Sequence, residues 1–259
     1  MNIKLRDYGK NYLLINNIKT WPKQWCDYIE ENIEIINDYF VGRKKSNSSS
    51  LYTNKNYEDI ESKFKEILLN TDCELICYHA TRLVNYEVED IKQNGLMIST
   101  EDFINKKIDL LKKNSLINDE ERDILKKINL LNKPEQKKIR ENKINFCYGK
   151  QIINLDKDNN LSLYNFYANY GGEIIFKGLL KKYDDLQQKL NEISKPYLII
   201  CSIKLCNIEN VVESWGPELI EYFYKKGCNE INKQFSITSN YSKLLDIIEI
   251  NDNSVLDYN

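Results

Sequence analysis

Two continuous apolar runs, Cys73 to Tyr78 and Tyr197 to Leu205, constrain this chain most, because each has the length of a buried strand and falls short of a helix. Helical patterns surround them in an irregular order. There is no internal repeat, and no strand–helix alternation regular enough for a doubly wound parallel sheet. The expected fold class is therefore α+β, and 259 residues suffice for a substantial core.

Along the chain, Ile3 to Leu5 and Tyr12 to Ile15 suit a small hairpin. Thr20 as cap and Pro22 in the first turn predict a helix carrying Trp25, Ile29, Ile33, Ile36 and Phe40, ending at Gly42. Residues 43–56, with a Lys-Lys pair and a Ser-Asn-Ser-Ser-Ser run, read as a flexible connection. This divides an N-terminal extension, 1–56, from a main domain, 57–259. In the latter, a helix with Ile60, Phe64 and Ile67 inward precedes the first strand, which His79 ends. A helix from Val84 to Gln93 follows, with Gly95 as its left-handed cap. Residues 100–142 form a helical insertion, with Ile104, Ile108, Leu111, Ile124, Ile128 and Leu131 at helical spacing. Strands are expected at Lys143 to Tyr148, Ile174 to Phe176, Phe235 to Thr238 and Leu245 to Ile250. Helices are expected at Leu179 to Ile193 and Pro217 to Lys226.

Composition narrows the function classes. With 37 Lys and Arg against 39 Asp and Glu, the net charge of −2 gives no global field to draw in nucleic acid, leaving only a local basic face. The seven cysteines (26, 73, 77, 147, 201, 206 and 228) lack close C-x-x-C pairing, so they read as reduced core thiols rather than metal ligands. A single histidine, His79, excludes every site that needs two imidazoles, and no metal is expected. No stretch approaches a membrane span or a secretory leader, which implies a cytoplasmic location.

Three features can converge on chemistry. They are the strand end Tyr78-His79-Ala80-Thr81-Arg82, the segment Tyr164-x-x-Tyr167-x-x-Tyr170-Gly-Gly-Glu173, and Glu230 before the last strands. Followed by Asp90-Ile91-Lys92-Gln93-Asn94-Gly95-Leu96, the first resembles the ADP-ribosyltransferase superfamily, in its branch with a His, Tyr and Glu triad. The resemblance spans roughly Cys73 to Ile250, without counterparts for 1–56 or 100–142. It implies a split mixed β-sheet core with NAD bound as substrate between the halves. It also implies that His79 bonds a ribose hydroxyl, that Thr81 and Arg82 fix the dinucleotide, and that a tyrosine stacks on nicotinamide. Tyr167 is favoured for the stacking role over Tyr164 and Tyr170. Loss of nicotinamide leaves positive charge on the ribose, so a carboxylate, Glu173 or Glu230, would stabilise it and orient the acceptor.

The implied activity is NAD-dependent ADP-ribosylation of a macromolecule, protein or nucleic acid, by a toxin or anti-phage defence effector that an inhibitor or antitoxin protein would restrain. The competing readings are an RNA 2′-phosphotransferase relative, which wants more arginines than Arg82 near its histidine, and a non-catalytic binding module on the same scaffold. Each residue also has a structural reading: the tyrosines share a helix face suited to packing, Gly171-Gly172 can be a helix stop, and Arg82 can be an ion-pair partner.

Overall fold

The structure, a computed structural model, describes residues 2–4, 12–46, 52–148, 169–171, 175, 182–208, 214–227, 233–237, 242–250 and 255–257. The two apolar runs find each other. They lie within β2 (Glu74–Leu83) and β4 (Lys195–Lys204), which pair antiparallel from Glu74↔Lys204 to Leu83↔Lys195. Around this ladder β3 (Ile144–Tyr148), β5 (Lys233–Ile237) and β6 (Lys243–Glu249) complete a five-stranded sheet in the order β5-β3-β2-β4-β6. The fold is mixed α+β. Every ladder in this sheet is antiparallel; among the described residues parallel pairing is confined to the bridge Leu13↔Leu75 and to the two short strands β1 (Asn2–Lys4) and β7 (Val255–Asp257). Among the described residues the expected N-terminal hairpin does not form: β1 pairs with the far end of the chain, and Leu13 joins the start of β2.

Period-two alternation gives the sheet two apolar faces. On one, Leu75, Cys77, Ile199, Cys201 and Ile203 meet the helices α1 (Lys23–Glu31), α2 (Ile33–Lys45), α3 (Lys55–Leu69) and α9 (Gly216–Tyr224). On the other, Ile76, Tyr78, Ala80, Leu198 and Ile200 meet Leu14 and Ile250. The N-terminal extension shares the first of these cores. Trp25 is fully buried and its indole N–H donates to Thr71 Oγ1 at 2.9 Å. Burying such a side chain contributes about 1.5–3 kcal/mol, so this extension is part of the domain's stability.

Local chemistry corrects two expected boundaries. Thr20 closes a 3-10 turn, bonding back to Leu14 and Asn17, and the first helix begins only at Lys23, with a break at Asn32. Gly42 lies inside α2, which runs on to Lys45; a Cβ there would collide with the Tyr52 ring. The insertion is helical as expected: α5 (Glu101–Lys113), α6 (Asp119–Ile128) and α7 (Pro134–Arg140). Thr100 caps α5 through the Phe103 N–H, while Asn118 and Glu121 exchange bonds at the start of α6. Ile104, Ile108, Leu111, Leu125 and Leu131 pack with Leu186 and Leu190 of α8 (Asp184–Glu192) and with Val84 and Tyr170 beside α4 (Asn85–Asn94).

Six described cysteines are free, five of them buried or half-buried; Cys206 is exposed, so it is not the core thiol expected. Among the described residues no helix is long and apolar enough to cross a membrane.

Candidate functional site

The sheet nearly parts in two between β2 and β3. Their ladder has the single register pair Tyr78↔Cys147, whereas β3–β5 and β2–β4 are paired along whole strands. His79 is the next residue, and its Nδ1 lies 2.8 Å from the Asn145 carbonyl oxygen of β3. A carbonyl only accepts, so the imidazole carries its proton on Nδ1 and leaves Nε2 as an acceptor. The strand does not end at His79 as expected. It continues to Leu83 because β4 supplies partners for every residue beyond it. Where β2 and β3 separate, Ser99 bridges to Lys143 and takes over the pairing next to β3.

A cavity of about 180 Å³ opens at this parting. His79, Thr81, Asn145, Ser99, Lys107, Arg140 and Asp90 supply its polar groups, and Leu96, Phe103, Ile104 and Ile144 much of its apolar wall. Gly95 also lines it; its φ of +74° and ψ of −174° put it in the extended region that only glycine enters easily, rather than the left-handed helical region expected. A second cavity, of about 460 Å³, shares Leu83, Asp90, Met97, Phe103 and Lys107 with the first and runs along α4 and α5. The first alone is below the 300–1,000 Å³ usual for small-ligand sites, and the second falls within that range.

Half-buried His79 has its pKa lowered from the ordinary 6.5 by desolvation; the Asn145 hydrogen bond opposes this, and the nearby Lys107 ammonium adds to it. The imidazole is therefore neutral at physiological pH. Lys107 in turn belongs to a buried network. Its ammonium pairs with Glu87 Oε1 at 2.9 Å and lies 4.9 Å from the centroid of the Tyr170 ring. Glu87 also accepts from the Tyr170 hydroxyl and, through Oε2, from the Val84 N–H, each at 2.9 Å. Burial, then the Glu87 carboxylate, holds the Tyr170 phenol well above its usual pKa, which keeps it a donor.

Of the residues singled out in the sequence, His79 and Thr81 line the cavity together. Two others have different work. Tyr170 is 0% exposed, with its hydroxyl on Glu87 and its N–H on Asn191 Oδ1, so it has no face for a nicotinamide. Arg82 points away from its neighbours on the strand: Nε donates to Ser194 Oγ, and Nη2 to the carbonyls of Asn191 and Ser194 at 2.8 and 2.7 Å. It fastens β2 to the turn between α8 and β4. Tyr164, Tyr167, Glu173 and Glu230 lie outside the described residues, as does most of the strand expected at Ile174 to Phe176.

The residues not singled out are Lys107, Asn145 and Ser99 in the wall and Glu87 behind it. Two of these had a readable signal. Lys107 falls between Ile104, Ile108 and Leu111 on the inward stripe of α5, and Glu87 falls between Val84, Val88 and Ile91 on that of α4. Opposite charges at inward positions of neighbouring helices mark a buried pair. Among the described residues no cluster of His, Cys, Asp and Glu is arranged to hold a metal. No protein-family model, curated protein or solved structure matches this chain.

Proposed function

We propose that the chain is an NAD-consuming ADP-ribosyltransferase with a core of the ADP-ribosyltransferase kind, acting on a macromolecular acceptor. The observation that carries this reading is the position of His79. A neutral imidazole, fixed by Asn145 at the parting of a sheet, borders a cavity with Thr81 and with the Gly95-Leu96 turn. Those are the motif residues on which the resemblance rests. Nε2 accepts a hydrogen bond from a ribose hydroxyl and so holds the sugar that loses nicotinamide. Phe103 and the aliphatic wall keep water from the developing oxocarbenium charge. Glu173 or Glu230 supplies the carboxylate that stabilises this charge and orients the acceptor. Tyr170 is fully buried and the Arg82 guanidinium is engaged by Ser194 and Asn191, so the aromatic surface for nicotinamide falls to Tyr167 or Tyr164. The action as a toxin or defence effector, under the control of an inhibitor protein, follows from the resemblance alone.

The test is transfer of label from adenine-labelled NAD to a cell lysate, followed by separate nuclease and protease digestion to class the acceptor. His79→Ala should abolish transfer while keeping the circular dichroism of the native chain. Equal labelling by the variant rejects the reading. A second reading, a non-catalytic nucleotide-binding module, draws on the commitment of Arg82 and Tyr170 to structure; it predicts saturable NAD binding without nicotinamide release.

A further inference from the structure

The helical insertion, which has no part in the resemblance, builds one wall of the cavity and supplies both permanent cations that line it among the described residues: Lys107 from α5 and Arg140 from the end of α7. One carboxylate, Asp90, is among the residues that line the same space. The Lys107 ammonium is anchored from behind, by Glu87 on one side and the Tyr170 ring on another, with only 16% of its side chain exposed. An ammonium has three donors, and Glu87 is the acceptor that meets it among the described residues. A lysine held this way is preorganised, with its aliphatic stem already ordered, so an arriving anion incurs little further entropy loss. An anchored ammonium with a guanidinium lining the same cavity suits phosphate oxygens, which pair well with both groups.

We propose that Lys107 and Arg140 bind the diphosphate of a nucleotide whose ribose is held by His79, making the insertion a positioning device for the substrate rather than an ornament of the fold. This rests on the NAD reading for the identity of the nucleotide; the diphosphate site itself does not. The insertion and the β2 strand end then grip one ligand from two sides. The residues act through binding and orientation, and no bond is made or broken at either cation.

Calorimetric titration of the full chain with ADP-ribose, ADP and adenosine tests the site. ADP and ADP-ribose should bind at least about tenfold more tightly than adenosine, with the advantage shrinking as salt is raised. Lys107→Met should cost ADP about tenfold or more, Lys107→Arg should restore most of it, and neither should change adenosine binding. Arg140→Gln, at a half-buried position that does not share the Glu87 network, makes the same test if Lys107→Met does not fold. Wild-type binding of ADP no tighter than adenosine overturns the proposal, as do variants that bind ADP like the wild type. If ADP binding depends on Lys107 and Arg140 but NAD is never consumed, the diphosphate site stands and the transferase reading falls. If NAD is consumed with an unchanged KM in both variants, the outcome is the reverse.

Discussion

Glu87→Gln isolates the buried network behind the cavity, because it keeps the shape of the side chain and removes its charge. In the native chain the carboxylate takes three donors: the Val84 N–H, the Tyr170 hydroxyl and the Lys107 ammonium, each at 2.9 Å. An amide presents one oxygen and two N–H groups, so at least one of the three donors loses its acceptor and Lys107 loses its counter-charge. Removing one partner of a buried ion pair costs about 3–5 kcal/mol, and the remaining 16% exposure of Lys107 reduces this to about 2–4 kcal/mol. At about 2–4 °C per kcal/mol for a domain of this size, the melting midpoint should drop by roughly 5–15 °C in a calorimetric scan. The double variant Glu87→Gln, Lys107→Met should recover a large part of that loss, since it removes the stranded ammonium as well. The single histidine gives an independent readout: with Glu87 neutral, Lys107 repels the imidazolium more strongly, and the His79 titration followed by NMR should move further down. A midpoint within about 2 °C of the wild type would refute the burial argument.

The same histidine signal in the native chain should titrate below pH 6.5, as desolvation dictates. Between that lowered value and 6.5 the unfolded chain binds more protons than the folded one, so stability should fall as pH is lowered through this window and level off below it; a histidine-dependent rise in stability in acid would contradict the assignment. Gly171 and Gly95 both have positive φ, but a Cβ on Gly171 would meet Ile175 Cβ at 2.6 Å, while one on Gly95 meets nothing within 4 Å. Gly95→Ala should therefore cost only the backbone strain of about 1–3 kcal/mol and Gly171→Ala clearly more; equal losses in denaturant titrations would show that Ile175 yields freely. Trp25→Ala should lose about 3–5 kcal/mol in a single cooperative transition, because the N-terminal helices share the core of the sheet; two separate transitions would show them to be an independent unit.

What the sequence disclosed follows from where the signal resides. The centre of the sheet was visible because both halves of the β2–β4 ladder are apolar at nearly every residue between Leu75 and Tyr78 and between Tyr197 and Ile203. The extension of β2 through His79, Thr81 and Arg82 was not, since Thr81 alone of the three favours a strand; a neighbouring strand enforces what local propensity does not. The helices of the insertion were legible from their stripes. Lys107 and Glu87 sat within those stripes, but each makes sense only beside the other, and their pairing is tertiary. Tyr170 shows the opposite failure: its spacing suggested either packing or ligand, and only the Glu87 carboxylate across the core decides between them. The parting of β2 from β3 leaves no trace in residue types, because it results from where Ser99 and the His79 ring insert.

That parting separates two ways of holding a strand. Where β2 and β3 share only the register pair Tyr78 and Cys147, side chains do what backbone rungs do elsewhere: the His79 ring reaches the Asn145 carbonyl, and Ile144, Phe146 and Tyr148 are sunk in the common core. Backbone groups beside the opening are thereby left to face a guest while the strand stays seated.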